Sequence, residues 1–410
     1  MPSYTIHHQP LINKLLPLII FLISTCQIQA QKIRPDAFPP ALDPAPKALK
    51  MATSVDELKS WNSYPTYQVY VETMQQFADS YPDLCRLDTI GTSLQGRLIL
   101  CLAIHGNKHS EESKPEFFYS STMHGDEVTG YYLMIRLCDS LLNSYGTAAD
   151  ITDLIDHVDI YINPLSNPDG TYHGGNHTVA GAIRYNSNYV DLNRNYPDPF
   201  GTDPLDTIQL ENQEMIAYVQ NHHFLLSANL HGGSEVMNYP WDSFTSRQRV
   251  NEDADWWKAV GKRFVDTCRL VNSRRFTDVN STGVINGGDW YVISNGRQDY
   301  FNYYCNIREL TMELSSTKTV STNQLDSYWR CESHALINYI KEIFTITDTT
   351  TTLSISSFDQ SSPIIAYPNP THGPVTVVTP AGKHLFNLAD RPVGIYVITV
   401  DGKPIKVVKY

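Results

Sequence analysis

The sequence has few basic residues for its length. Lys and Arg total 31 against 43 Asp and Glu, a formal net charge of −12 over 410 residues. A protein that binds nucleic acid through phosphate contacts needs a clustered basic excess, and none occurs here. This balance excludes the usual nucleic-acid surface and suits neutral or cationic ligands. With 41% apolar residues and 11% aromatics, the chain can still fill a substantial core.

Long apolar runs are also lacking, apart from one at the N-terminus. That run follows Lys14 and precedes the small residue Ala30, which predicts a secretory signal peptide over residues 1–30. It is too short to span a bilayer, and no other stretch approaches the length of a span. We therefore expect an exported protein without a membrane span. Cys26 leaves a lipid-modified N-terminus open, although Thr25 is larger than the residue usual before such a cysteine.

Cysteine is sparse. Six cysteines remain once Cys26 is removed with the signal, an even number that allows one or two disulfides in an oxidising compartment. Cys101 and Cys138 lie inside apolar segments and can equally be buried thiols. Spacing does not give the pairing.

Composition divides the rest of the chain into four parts. Residues 31–60 are rich in Pro and Ala and predict an extended lead-in without a core. Residues 61–345 alternate apolar, strand-like runs with helical periodicity, which predicts an α/β domain with a mainly parallel sheet covered on both faces. Residues 346–362 are a Thr/Ser linker. Residues 363–410 alternate apolar and polar residues and predict a small β module.

Within the α/β part, five apolar runs are predicted as strands. Two irregular regions lie between them, and the first, which is rich in Gly, Asn and Tyr, is predicted to be functional because of its length. The strand predictions cover residues 98–104, 117–119, 158–162, 224–230 and 310–314, and the two irregular regions are 170–201 and 281–306.

One short stretch carries metal chemistry. His124 and Glu127 stand three residues apart at the end of an apolar run, and both residue types bind zinc. His231 is the best third ligand, because it follows another apolar run and precedes two glycines, as where a buried strand ends in a loop. Three ligands leave a fourth position open for water or substrate. The pair alone is weak evidence, since 14 His in 410 residues make a chance match unsurprising.

Further motifs make the pattern specific. HGDE at residue 124, NPDG at 167, DLNRNY at 191 and ELS at 313 occur in this order, with His231 before the last. Over residues 61–344 this combination resembles the zinc metallocarboxypeptidases, and in particular their regulatory N/E branch. The resemblance implies a mixed, mostly parallel eight-stranded sheet and removal of one C-terminal residue from a peptide. It also implies one Zn²⁺ per chain, held by His124, Glu127 and His231.

The resemblance further implies roles around the metal. Asn193 and Arg194 match the clamp for the terminal carboxylate of the substrate, and a planar guanidinium suits that task because it bonds a carboxylate bidentately. Asp191 matches the carboxylate that orients a ligand imidazole. Arg184 matches the arginine that polarises the scissile carbonyl. Two more positions match the mobile tyrosine that closes over substrate and the general base, namely Tyr291 and Glu313.

Two positions concern specificity. Gln298, seven residues beyond Tyr291, and Asp242, eleven residues after His231, match the pair at the base of the side-chain pocket in the N/E branch. A carboxylate with an amide accepts a Lys ammonium or Arg guanidinium through charge-assisted hydrogen bonds. The resemblance therefore implies release of C-terminal Lys or Arg.

The chain departs from the branch after the catalytic part. Its C-terminal module is shorter than the transthyretin-like domain that often follows there. The motifs at 366–370, 394–397 and 406–409 instead resemble the C-terminal sorting domain of bacterial type IX secretion cargo. That likeness implies secretion machinery as a partner and a secreted or cell-surface location reached through the periplasm of a Gram-negative bacterium. The segment after Glu127 also lacks the Gly-Arg step often seen there, which touches no ligand.

Three functions stay open at this point. The first is a secreted zinc exopeptidase that acts on peptide or protein C-termini. The second is a carboxypeptidase that acts on the stem peptides of peptidoglycan, with the same chemistry. The third is an inactive zinc-binding surface module, which the loss of Glu313 or of a ligand would have favoured, whereas all are present.

Overall fold

The structure is a computed structural model. It describes residues 49–106, 114–201 and 207–346 in full, and the backbone of short strands at 6–9 and between 365 and 409. Two compact units are present: Phe38–Ile346, and Met1–Ala37 together with Thr347–Tyr410. The predicted signal peptide outside its strand, most of the lead-in and nearly all of the linker lie outside the described residues and stay predictions.

The strands are β1 (Ile6–Gln9), β2 (Met51–Ala52), β3 (Tyr64–Pro65), β4 (Cys85–Thr92), β5 (Leu98–Ile104), β6 (Glu116–Ser121), β7 (Asp159–Asn163), β8 (Phe224–His231), β9 (Ser234–Tyr239), β10 (Val284–Asn286), β11 (Arg308–Ser315), β12 (Ile365–Tyr367), β13 (Pro374–Thr379), β14 (Gly382–Asn387), β15 (Gly394–Val400) and β16 (Lys403–Lys409). The helices are α1 (Val55–Leu58), α2 (Tyr67–Ser80), α3 (Thr129–Ser144), α4 (Ala149–His157), α5 (Pro168–Thr171), α6 (Leu210–Gln220), α7 (Ala254–Val271), α8 (Gly287–Trp290), α9 (Arg297–Tyr304) and α10 (Leu325–Lys341), with 3₁₀ turns at Leu192–Arg194 and Glu342–Thr345.

The larger unit is built on one eight-stranded sheet with the order β10-β9-β11-β8-β6-β7-β5-β4. Of the seven pairings in this sheet, four are parallel, including the three that join β11, β8, β6 and β7, and three are antiparallel. The prediction of a mixed, mostly parallel eight-stranded α/β sheet is therefore confirmed.

The central strands are apolar because both of their faces are covered. In β6, Phe117 and Tyr119 point to one core cluster while Phe118 points to the other, as the two-residue period of a strand requires. The first cluster contains the buried faces of α2, α3, α7 and α10, and the second contains that of α6. Two-sided burial explains the near-continuous apolar runs from which these strands were predicted.

The smaller unit is β-structured in its described part. It contains two three-stranded sheets, with the orders β1-β15-β16 and β12-β13-β14, and their pairings are antiparallel. The alternation of apolar and polar residues over 363–410 thus predicted the strands β12 to β16.

Two expectations from the sequence concern disulfides and membrane spans. The six cysteines of the described part are free thiols and five are buried, so the disulfides considered above are absent there. None of the helices in the described ranges is both long and apolar enough to cross a membrane.

The sheet sets the position of the site. The carboxyl ends of β6, β8 and β11 are neighbours at one edge, and open α/β sheets bind ligands at this edge. His231 is the last residue of β8 and pairs in register with Glu313 of β11, while His124 lies three residues after β6. Strand register therefore places His231 beside Glu313, and the turn after β6 brings His124 to the same edge.

Candidate active site

Three potential metal ligands meet in a buried cluster. The side chains of His124, Glu127 and His231 belong to residues only 2–4% exposed. Oε2 of Glu127 lies 3.0 Å from Nδ1 of His124 and 2.8 Å from Nδ1 of His231, and the two Nδ1 atoms are 3.0 Å apart. The structure thus brings together the three residues that were predicted as ligands.

The turn that carries His124 depends on close backbone packing. A Cβ atom on Gly125 would come within 2.3 Å of the carbonyl carbon of Gly170. Asn167 caps α5 and donates its side-chain amide to the carbonyl of Met123, 3.1 Å away. The NPDG motif therefore supports the HGDE motif, which explains why both occur in one sequence.

The cluster fits a zinc ion. Nδ1 of a neutral imidazole is either a donor or an acceptor, so two such nitrogens and a carboxylate oxygen in mutual contact cannot all pair through hydrogen bonds. A cation accepts all three lone pairs at once, and two His with one Glu is a ligand set of catalytic zinc. Burial lowers the pKa of His231 to about 4, so its ring is neutral at pH 7, as a ligand must be.

Asp191 and Arg184 surround His124. Oδ1 of Asp191 lies 3.1 Å from Nε2 of His124, which favours the proton on Nε2 and leaves the Nδ1 lone pair for a metal. Nε of Arg184 donates to the other oxygen of Asp191 at 2.9 Å, and its Nη1 is 3.4 Å from Oε1 of Glu127. Arg184 therefore holds a positive charge beside the ligand cluster.

Glu313 has a free carboxylate oxygen in the same cavity. The residue is 8% exposed, and its Oε2 has no hydrogen-bond partner within the described part of the chain. Burial and then the nearby charge of Glu127 raise the pKa of Glu313 well above its usual value. A carboxylate in this state is suited to take up and return a proton.

One cavity joins most of the predicted residues. Besides the ligands, Arg184 and Glu313, its walls include three more of the positions singled out from the sequence. These are Asn193, Asp242 and Tyr291. Tyr291 is 48% exposed and stands at the surface of the molecule.

Two predicted residues contact the cavity indirectly. Gln298 donates its side-chain amide to Oδ1 of Asp242 at 2.8 Å. Arg194 lies outside the lining, and its guanidinium donates to the carbonyl oxygen of Asn193 at 2.9 Å. Its charge acts on Asp242 and Tyr291 of the cavity wall.

The space in front of Asp242 depends on a glycine. A Cβ atom on Gly287 would lie 1.9 Å from Oδ1 of Asp242. Burial, followed by the charge of Asp299, raises the pKa of Asp242 well above its usual value. Asp299 is itself held by the backbone N–H groups of Asp242 and Ser243, at 2.8 and 2.9 Å. Asp242 in the cavity wall is therefore backed by a second buried carboxyl group, and Gly287 leaves open space in front of it.

Comparison with known proteins decides the family. Residues 70–335 match the family model described as zinc carboxypeptidase. The chain belongs to the zinc carboxypeptidase family. This assignment confirms the predictions of a metallocarboxypeptidase and of zinc as its cofactor.

Relatives and solved structures agree with it. The chain is 33% identical over 295 residues to mouse carboxypeptidase D, which covers 68% of this chain but only 21% of that protein. It is 33% identical to mouse carboxypeptidase M, with 66% of this chain and 63% of that protein covered. A crystal structure of carboxypeptidase A from Helicoverpa armigera has a TM-score of 0.59 at 20% identity, and the match covers 69% of this chain and 74% of that one. The last likeness shows the fold.

The sequence reading missed Lys318 in this zinc carboxypeptidase site. Lys318 lines the cavity, and its Nζ lies 2.9 Å from Oδ2 of Asp126 and 3.6 Å from Oε1 of Glu127. The available signal was its place in the loop directly after β11, at the same sheet edge as the ligands.

We predict that zinc binding depends on the two imidazoles. A His124→Ala, His231→Ala double variant should lose the one zinc per chain that the purified parent carries, because a single carboxylate cannot hold the ion. Metal analysis after dialysis measures it. A control variant with the exposed pair His157→Ala and His223→Ala should keep its zinc. Stoichiometric zinc in the first variant would contradict the assignment.

Proposed function

We propose that this protein is an exported zinc carboxypeptidase that removes C-terminal Lys or Arg from peptides and proteins. The observation that carries the proposal is the shared cavity, in which an unpaired Glu313 carboxylate and the buried Asp242 face the same space as the three metal ligands. The chain spans only 21% of the length of mouse carboxypeptidase D, so the support for the proposal comes from the residues of the cavity.

The chemistry can be assigned to individual side chains. When bound, zinc supplies Lewis-acid polarisation of the scissile carbonyl. Glu313, whose Oε2 has no partner among the described residues, takes a proton from the attacking water and returns it to the leaving amine. Arg184 stabilises the negative charge that develops on the carbonyl oxygen, the kind of contribution that is usually the largest in such reactions.

Binding of the substrate terminus has its own residues. Asn193 and Arg194 hold the terminal carboxylate, and Arg194 is linked to Asn193 by its hydrogen bond to the Asn193 carbonyl. Asp242, supported by Gln298, receives the terminal side chain. An apolar guest would leave the Asp242 carboxylate desolvated and unpaired, which costs about 2–5 kcal/mol.

We predict that Glu313→Gln keeps zinc but loses turnover. The amide cannot accept the proton, so kcat should fall by about a hundredfold or more. Release of free amino acid from a peptide ending in Lys measures it, together with metal analysis. Glu72→Gln on the exposed face of α2 serves as the control. Activity of the Glu313 variant within tenfold of the parent would remove Glu313 from the mechanism.

A second prediction concerns specificity. The parent should prefer peptides ending in Lys or Arg over those ending in Phe or Leu by about thirtyfold or more in kcat/KM. Asp242→Asn should erase most of this preference, because the charge is lost while the volume stays the same. Gln298→Ile should shift the preference towards apolar residues. The control variant Asp289→Asn, which changes an exposed carboxylate, should leave the preference unchanged.

Peptides that differ only in their last residue provide the measurement. Equal or better rates for Phe in the parent would contradict the basic pocket, and so would an unchanged preference in Asp242→Asn.

For export, we propose that the signal segment over residues 1–30 directs the chain across the inner membrane and that residues 363–410 direct its further transport. The sorting-domain likeness of the tail supports this. Deleting residues 363–410 should leave the peptidase active and trap it in the cell envelope, as measured by activity in cell fractions. Equal amounts of the truncated and full-length protein outside the cell would contradict the role of the tail.

A further inference from the structure

A buried ion pair lies beneath the cavity. Arg297 and Glu309 are each 0% exposed. Their contact is bidentate, with Nε to Oε1 at 3.0 Å and Nη2 to Oε2 at 2.9 Å. A buried pair of this kind is often no more stabilising than apolar side chains of similar volume, because both charges lose their hydration. Its presence here therefore points to a role in positioning the residues around it.

On the side of Glu309, the pair joins the strands that carry the chemistry. Oε2 of Glu309 accepts from Ser227 at 2.9 Å, and Oε1 accepts from Asn229 at 3.1 Å. Ser227 and Asn229 lie on the same face of β8 as His231, and Glu309 lies on the same face of β11 as Glu313. Glu309 thus links the polar faces of β8 and β11, and these two faces end at His231 and Glu313 in the site.

On the side of Arg297, the pair fixes the start of α9. The backbone N–H of Arg297 donates to Oδ1 of Asn193 at 3.0 Å. That bond decides the orientation of the Asn193 amide, because the oxygen must face the donor and the NH₂ group becomes the other end. Asn193 lines the cavity, and an NH₂ group is what a substrate carboxylate needs.

We propose that the Arg297–Glu309 pair is a positioning device for the terminal-carboxylate clamp. The ion pair holds the first turn of α9 against the sheet, and the Arg297 backbone then presents the Asn193 amide with its donor end towards the substrate. This inference rests on the proposed function.

The test compares two small ligands that differ only in the group that the carboxylate clamp would bind. These are free arginine, which has a carboxylate, and argininamide, which does not. In the variant with Arg297→Met and Glu309→Gln, Ki for arginine should rise by about tenfold, the value of one hydrogen bond to a charged group. Ki for argininamide should stay within about twofold. Loss of folded protein alone would change neither constant.

A control removes a pair of the same geometry elsewhere. Arg263 and Glu342 form a bidentate contact, with Nε to Oε1 at 2.7 Å and Nη2 to Oε2 at 2.6 Å, and neither residue lines the cavity. The variant with Arg263→Met and Glu342→Gln should leave both Ki values unchanged.

A double-mutant cycle tests whether the pair acts through Asn193. Asn193→Ala should weaken arginine binding by itself, and combining it with the pair variant should add less than twofold, because the same contact is already lost. If the combined variant instead raises Ki for arginine by the product of the two separate increases, the inference is overturned. If the pair variant does not fold, Arg297→Lys decides, since it keeps the charge with a single contact and should raise Ki for arginine by a few fold.

An unchanged arginine to argininamide ratio in a folded variant overturns the inference. Failure of the proposed function looks different, because the parent would then release no amino acid from any peptide. In that case calorimetry with arginine and argininamide still shows whether the parent distinguishes the carboxylate and whether the pair is responsible.

Discussion

Three metal-binding atoms within about 3 Å of one another are the constraint on which the rest of this structure depends. Such a cluster is unfavourable without a cation, because its lone pairs repel and its burial denies them water. The fold must therefore hold these three atoms together against their repulsion. One imidazole stands at the end of β8 and the other in a turn after β6, and that turn is fixed by glycine packing at Gly125.

The same constraint organises the charges around the cluster. Arg184 is bound to Asp191, Asp191 to His124, and Lys318 to Asp126, so each cation beside the ligands is held by a carboxylate that is not itself a ligand. Such an arrangement orients the imidazole and keeps positive charge available for a developing oxyanion. Glu313 differs from these carboxylates, because its Oε2 has no hydrogen-bond partner among the described residues, and this agrees with the proton transfer proposed for it.

The sequence predicted what local pattern can encode. The apolar runs predicted as strands correspond to β5, β6, β7, β8 and β11, because two-sided burial enriches these strands in apolar residues, with a polar row remaining on one face of β8 and of β11. It did not predict β4, β9 or β10, which lie at or near the edges and are short or more polar. The segment 281–306, expected to be irregular, contains β10, α8 and α9. Arg297 could not be recognised there as a core residue, since only its distant contact with Glu309 makes a buried arginine tolerable.

The pocket around Asp242 has a consequence beyond selectivity. Once the terminal side chain leaves, Asp242 of this pocket loses its cationic partner unless the released amino acid stays bound. Under the proposed specificity, the charge that attracts a substrate ending in Arg or Lys attracts the free amino acid as well. The enzyme would then slow down as its own product accumulates around the cell, and its output would follow the rate at which that product is carried away.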